Sequence, residues 1–187
     1  MSMRYSDTDR IYDELLLTRI QAGDRRAGER LAARWYPRLM RTAVRLLRDE
    51  EQARVAVQEA WSGICKGWRR LRNPSRFPAW AYTILHRKCA DQIGRNQKHR
   101  GLHAAAAQDA DLSIAPRGED KVTIDQAFDR LSDDHRTAAL LYFGEGLTIK
   151  EIAGVTGTAI GTAKSRLFHA RRQLKAALDD KHNEGDT

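Results

Sequence analysis

The chain has 187 residues, a formal net charge of +8 and a pI of about 9.8. Hydrophobic residues make up 41% of the chain and charged residues 31%, enough apolar material for helical cores. The longest apolar runs fall far short of the roughly 20 residues that a membrane helix needs, so membrane insertion is not expected. Two cysteines are too few for a disulfide scaffold or a four-ligand zinc site, and a reducing cytoplasm is the expected location. Four prolines and few alternating β-branched runs argue against an all-β fold, and the helix patterns described below predict an all-α one.

Charge is concentrated in the first half of the chain. Residues 14–100 carry 20 basic and 8 acidic residues, a net charge of +12, whereas residues 122–178 are close to balance at +2. A segment this basic indicates a polyanionic partner, most simply nucleic acid. The alternative is an arginine-rich helix surface that is only solvated.

Four helices are predicted before residue 101. The first runs from Asp13 to Ala22, and the second, over about 25–48, carries an apolar stripe at four-residue steps. That stripe consists of Leu31, Trp35, Leu39, Ala43 and Leu47. The third starts near Asp49, where acidic residues favour a helix N-terminus, and its apolar face is Val57, Trp61, Ile64 and Trp68.

The fourth predicted helix follows the break at Asn73-Pro74 and covers about 75–97. Phe77, Ala81, Leu85 and Cys89 lie on one side of it. Its second half is rich in cations, which can contact phosphates, and Trp80 and Tyr82 lie upstream, where aromatic faces could stack on unpaired bases. The cations are Arg87, Lys88, Arg95, Lys98 and Arg100. The alternative for Trp80 is a place in the apolar core.

A change in composition divides the chain into two small helical domains. Residues 101–121 lack an apolar period, contain Pro116 and two glycines, and are predicted to form a flexible linker. The predicted organisation is therefore a first domain at 10–100, the linker at 101–121, a second domain at 122–178 and an acidic tail at 179–187. Each domain has its own apolar stripes, so we expect the two to fold independently and proteolysis to cut first in the linker.

The second domain contains the pattern of a helix-turn-helix. Short helices are predicted at 123–131 and 133–143, and Thr148 with Glu151 forms a capping-box pattern that opens the next helix. That helix ends near Val155, and Gly157 suits the tight turn that follows. A longer helix then covers about 159–178, which completes the motif.

The two sides of this last helix differ in chemistry. Ile160, Ala163, Leu167, Ala170 and Leu174 share one side and are expected to pack on the preceding helix. The opposite side carries Thr162, Ser165, His169 and Arg172, flanked by Arg166 and Phe168. Short hydrogen-bonding groups with cations suit base edges and phosphates in a major groove. The alternative is a helical hairpin with a solvated basic face.

Several segments in order resemble the extracytoplasmic-function group of sigma-70 family RNA polymerase sigma factors. In the first domain these are LLLTRIQAGDRRAGERL, WYPRLMRTAVRLLRD, VQEAW at 57–61 and SRFPAWAYTILHRKCAD, which resemble sigma region 2. In the second domain LSDDHRTAALLYFGEGLTIKEIA and GTAKSRLFHAR resemble sigma region 4. The resemblance covers about residues 14–100 and 122–178.

The resemblance implies a role for each matched residue. The polymerase-binding set would be Val55, Gln58, Glu59 and Trp61, with valine at a position where the family usually has an acidic residue. The set facing the −10 promoter element would be Trp80, Tyr82, Arg87, Lys88, Arg95 and Lys98. The set facing the −35 element would be Thr162, Lys164, Ser165, Arg166, Phe168, His169, Arg171 and Arg172. Core RNA polymerase, promoter DNA and an anti-sigma factor are the implied partners of a chain that is monomeric when free. The family implies no cofactor, no metal and no catalytic residue.

Two other functional classes remain to be separated from this one. A helix-turn-helix regulator or sigma-like mimic would not initiate transcription, and a regulator of this kind usually binds palindromes as a dimer. An enzyme is disfavoured, since the sequence has no H-E-x-x-H, Walker glycine loop or G-x-S-x-G.

Overall fold

The computed structural model describes residues 5–104 and 124–179, and within them every regular element is a helix. The first stretch contains α1 (Asp7–Gln21), α2 (Arg25–Leu47), α3 (Glu50–Gly67) and α4 (Phe77–Ala104). The second contains α5 (Ile124–Asp129), α6 (Asp133–Ala139), α7 (Ile149–Thr156) and α8 (Ile160–Asp179). Two 3-10 turns, Trp68–Arg70 and Pro74–Arg76, join α3 to α4, and a π-helical turn, Leu140–Gly144, continues α6. The all-α prediction is confirmed.

Two helix boundaries differ from the sequence-based expectation. Helix α1 begins at Asp7 and not at Asp13, because the Ser6 hydroxyl accepts from the Asp9 backbone N–H and the Asp9 carboxylate accepts from the Ser6 backbone N–H. Helix α4 continues to Ala104, past the predicted domain boundary at residue 100. Residues 105–121 of the predicted linker and 180–187 of the tail lie outside the described residues, so their expected flexibility stays a prediction.

The predicted stripe of α2 forms the centre of the first domain. Leu31, Trp35, Leu39 and Ala43 are buried, and Leu47 is partly buried at the end of the helix. The Trp35 ring lies edge-on to Phe77 of α4, with 4.9 Å between the ring centroids. Edge-to-face aromatic pairs of this kind add to the free energy gained by burial alone.

A buried carboxylate fixes the N-terminal segment against this core. Asp13 accepts hydrogen bonds from the Tyr5 hydroxyl at 2.8 Å, from Trp35 Nε1 at 2.7 Å and from Arg34 Nε at 2.9 Å. A buried charge is tolerated when it is paired and hydrogen-bonded in this way. The segment around Tyr5 therefore belongs to the folded domain, although it precedes the first predicted helix.

The two domains pack against each other in this arrangement. Helix α7 lies on α4, and Leu141, Leu147, Ile152 and Val155 belong to the same continuous apolar cluster as the core of the first domain. A second, smaller cluster holds α5, α6 and α8 together: Ala127, Leu131, Ala139, Ala170 and Leu174. The expectation of independently folding halves did not include this shared core.

Hydrogen bonds from α1 and α2 to the turn before α7 reinforce the contact between domains. The buried Glu145 carboxylate accepts from Arg38 NH2 at 2.8 Å and from the Thr42 hydroxyl at 2.9 Å. The neighbouring Gly146 carbonyl accepts from Arg10 NH2 at 3.0 Å, and Gly146 has a φ of +68°, a region that favours glycine. An acidic residue of the second domain is thus neutralised by the basic first domain.

None of the helices within residues 5–104 and 124–179 combines the length and the apolar character needed to cross a membrane.

Candidate nucleic-acid interface

Helices α7 and α8 form the predicted helix-turn-helix. The Thr148 hydroxyl accepts from the Glu151 backbone N–H, and the Glu151 carboxylate accepts from the Thr148 N–H at 2.8 Å, which confirms the capping box. Gly157 ends α7 with a φ of +68°, as the turn requires. The Thr158 backbone N–H then donates to the Ala153 carbonyl at 3.0 Å, which closes the turn. Local hydrogen bonds therefore fix the start of α7 and the turn between the two helices.

The predicted faces of α8 are largely observed. Ala163, Leu167, Ala170 and Leu174 are buried, whereas Ile160 is 55% exposed, so its predicted place on the packed side is wrong. Ile160 is the first residue of α8, where the helix has not yet reached the core. Most predicted DNA-facing side chains are exposed: Thr162, Lys164, Ser165, Phe168, Arg171 and Arg172.

Two members of the predicted −35 set are not free side chains on the helix surface. Arg166 and His169 are partly buried and both contact α6. Arg166 donates to the Asp134 carboxylate, and the His169 ring stacks on the His135 ring with 5.7 Å between centroids. Helix periodicity predicts that His169 lies opposite the buried side of α8, but the first turn of α6 covers one edge of the His169 side chain.

The predicted −10 residues on α4 divide between the surface and the core. Arg87 and Arg95 are exposed, and Trp80 and Lys88 are partly buried. Tyr82 is only 1% exposed, and its ring packs 5.7 Å from Trp35, so in this arrangement it cannot stack on a base. Burial and the nearby carboxylate of Glu145 hold the Tyr82 pKa well above its usual value. The side chain of Lys98 lies outside the described residues.

Gly67 makes room for the partly buried Trp80. A Cβ atom at Gly67 would lie 2.7 Å from Trp80 Cζ2, closer than real contacts allow. The Trp80 ring also packs against Phe77, with 6.0 Å between centroids. Trp80 is therefore anchored in the first domain while part of its ring remains accessible.

The predicted polymerase-binding residues on α3 have mixed exposure. Val55 and Gln58 are exposed, with 42% of Val55 accessible, and Trp61 is partly buried against Trp68 at 6.1 Å. Glu59 connects this face to α4, since it pairs with Lys88 Nζ at 3.1 Å and with Arg95 NH1 at 3.2 Å. Hydrogen bonds from these two cations hold the Glu59 pKa below its usual value.

Comparison with known protein families identifies both halves of the chain. The family model of sigma-70 region 2 matches residues 31–99, and the model of sigma-70 region 4 matches residues 121–174. The chain is an extracytoplasmic-function sigma factor of the sigma-70 family. Sigma factors direct RNA polymerase to promoters at transcription initiation, and this is the function of the chain. They are initiation factors without an enzymatic activity of their own.

Relatives match the sigma factor over most of its length. The RNA polymerase sigma-H factor of Pseudomonas aeruginosa is 29% identical over 180 residues, covering 89% of this chain and 93% of the relative. The ECF RNA polymerase sigma factor SigM of Mycobacterium tuberculosis is 29% identical over 171 residues, covering 89% of this chain and 84% of the relative.

A solved structure supports the fold of both domains. The sigma factor RpoE of Bartonella quintana, in complex with the anti-sigma factor NepR, has a TM-score of 0.64 at 25% identity. The match covers 82% of this chain and 97% of that chain.

Three contact residues near the site were not found from the sequence. Glu145, Asp134 and His135 are polar residues in or beside helices, and their spacing gives no signal of function. What distinguishes them is the partner that the fold brings to each: Arg38 and Thr42 for Glu145, and α8 for the other two.

Proposed function

We propose that this sigma factor binds core RNA polymerase through the exposed face of α3, reads the −10 element with α4 and reads the −35 element with α8. The observation that carries the proposal is the exposed polar and basic face of α8. This helix follows α7, which begins with a capping box and ends at the Gly157 turn. The proposed location is the cytoplasm, where the polymerase acts.

Exposure and chemistry support the −35 assignment. Thr162 and Ser165 lie on successive turns of α8 and are exposed, so both hydroxyls can reach base edges from one side of the helix. Arg171 and Arg172 are exposed further along, where guanidinium groups can contact phosphates. A helix that reads base edges in the major groove needs this combination of short polar groups and flanking cations.

The −10 assignment rests on a basic surface beside a partly accessible aromatic ring. Arg87 is exposed, and Lys88 and Arg95 project from the same helix toward Glu59. The accessible part of Trp80 can stack on a base, because stacking on aromatic rings tolerates any base. Tyr82 supports this surface from the core through its contact with Trp35 and makes no direct contact in the proposal.

The α3 face supports the docking assignment through its exposure. Val55 and Gln58 are exposed without being needed for the core, since the buried residues of α3 are Ala53, Ala56, Val57, Ala60 and Ile64. An exposed valine beside polar groups suits the buried centre of a protein interface. Glu59 adjoins this face and contributes a carboxylate to it.

Promoter recognition requires the two domains to separate. The centres of the −10 and −35 elements are about 25 base pairs apart, which is about 85 Å along the duplex at 3.4 Å per base pair. In the structure, by contrast, α7 packs on α4, and residues of both domains belong to one apolar cluster. We infer that the sigma factor opens between α4 and α7 when it engages the polymerase and the promoter.

An anti-sigma factor is a proposed partner of the closed arrangement. RpoE, whose structure is similar to this chain, was solved in complex with an anti-sigma factor. A protein that binds both domains at once would stabilise the closed arrangement by mass action, because it binds one conformation in preference to the other.

Reconstitution with core RNA polymerase tests the proposal. The chain should co-purify with bacterial core polymerase, and the mixture should start run-off transcripts from a subset of genomic fragments that core polymerase alone does not use. A chain that binds specific duplexes as a dimer but leaves core polymerase inactive would instead be a helix-turn-helix regulator.

A further inference from the structure

The first turn of α6 contacts the recognition helix at two adjacent points. Asp134 accepts a hydrogen bond from Arg166, and the next residue, His135, stacks its ring on His169. The two imidazole planes are inclined by only 23°. His135 Nδ1 also lies 3.3 Å from Gln173 Oε1. The three α8 partners are spaced three and four residues apart, so they share one edge of the helix.

This edge borders the face that is proposed to read the −35 element. Ser165 and Arg172 are exposed immediately beside it, and His169 is partly buried at the border. The Phe168 ring lies edge-on to His169, 5.5 Å away and inclined by 79°. The His169 ring therefore contacts two rings, one contributed by α6 and one by α8 itself.

A ring held in this way is suited to base readout. A hydrogen bond to a base edge weakens steeply when its angle departs from linearity, so a reader has to present its ring nitrogen in a fixed direction. A free histidine on a helix surface loses side-chain rotamer entropy when it binds, and a ring already held by its neighbours loses less. These contacts join α6 to α8 within the second domain, and His86 of α4 lies close to the Asp134–Arg166 pair in the closed arrangement.

We propose that His135, which is not on the recognition helix, is a positioning residue that sets the −35 base preference through His169. The Asp134–Arg166 pair keeps the first turn of α6 against α8, and the stacked ring of His135 fixes the direction of the His169 imidazole. The inference rests on the proposed function, in which α8 enters the major groove.

The experiment uses the full chain with core RNA polymerase and a promoter library randomised at the −35 element. His169→Ala should change the preference at one base pair. His135→Ala should reduce that same preference by about threefold to tenfold. The double variant should have the profile of His169→Ala alone, because His135 acts only through the second ring.

A conservative variant separates positioning from folding. His135→Phe keeps a ring to stack on His169 but loses the contact with Gln173, and it should retain most of the preference. His135→Gln, which cannot stack, should lose the preference while melting at the same temperature as the native chain, and it replaces His135→Ala if the alanine variant does not fold.

The outcomes distinguish failure of the inference from failure of the proposed function. If His169→Ala changes the preference and neither His135→Ala nor His135→Gln does, the positioning role is overturned and the proposed function stands. If His169→Ala leaves the base preference unchanged, the assignment of His169 as a reader fails first. A uniform loss of affinity in His135→Ala, with the base profile unchanged, also overturns the positioning role.

Discussion

Removal of the Glu145 side chain should open the contact between the two domains. Glu145→Ala deletes the acceptor of two hydrogen bonds and leaves Arg38, whose side chain is only 15% exposed, without its carboxylate. Breaking a buried ion pair by removing one partner costs about 3–5 kcal/mol, and the partial exposure of this pair places it near about 3 kcal/mol. The closed-to-open ratio should therefore fall by about 100-fold.

Small-angle X-ray scattering on the free chain measures this change. A compact chain of this length has a radius of gyration of about 16 Å, and separated domains give a value several ångströms larger, or about 20 Å or more. Helicity by circular dichroism should be unchanged, because Glu145 lies between helices. Glu145→Gln, which can still accept from Thr42, should give an intermediate result.

A matched control is available on α3. Glu50 pairs with Arg54 on the surface, both side chains being about two-thirds exposed. Glu50→Ala also removes one carboxylate but should cost no more than about 1 kcal/mol and leave the radius of gyration unchanged. If Glu145→Ala scatters like the native chain and melts at the same temperature, Glu145 does not hold the domains together.

Three further predictions concern the first domain. Val55→Asp should change the free energy of unfolding by no more than about 0.5 kcal/mol, because the side chain is 42% exposed. The variant should also bind core polymerase at least as well as the native chain. A folded variant with weaker binding in a pull-down titration contradicts the docking role. Gly67→Ala should destabilise the first domain by about 1–3 kcal/mol in urea unfolding, since the new Cβ meets Trp80 at 2.7 Å; unchanged stability would mean that the ring moves freely. Burial lowers the pKa of His86; the Asp134 carboxylate opposes this effect and the Arg166 cation adds to it. The folded chain should therefore lose stability as the pH falls below the unfolded value of 6.5. Melting from pH 7.5 to 5 should show less of this loss in His86→Gln, and an equal loss would exclude His86 as its source.

Helix periodicity predicted most of the elements, because each amphipathic stripe records which side of a helix is buried. The four-residue steps from Leu31 to Ala43 and the apolar side of α8 from Ala163 to Leu174 are buried as expected. The capping box at Thr148 and the turn at Gly157 were also predictable, since both depend on interactions within a few residues.

What the sequence did not reveal are contacts between distant segments. The burial of Ile152 and Val155 against the first domain was not predicted, because the sequence around α7 does not indicate α4 as its partner. Tyr82 was predicted to face DNA because it lies near cations in the chain, yet the helix turns its ring toward Trp35. His169 lies on the polar side of α8, and only the position of α6 shows that His135 stacks on the His169 ring.

Site-specific crosslinking in the promoter complex tests whether α4 and α8 read the two elements of one promoter. A photoreactive residue replaces either Arg87 on α4 or Ser165 on α8, and the full chain is assembled with core RNA polymerase on one promoter. Position 87 should crosslink to the −10 element and position 165 to the −35 element of the same DNA, about 25 base pairs or about 85 Å away. Crosslinks from both positions to one element, or the same crosslinks without polymerase, would contradict this assignment.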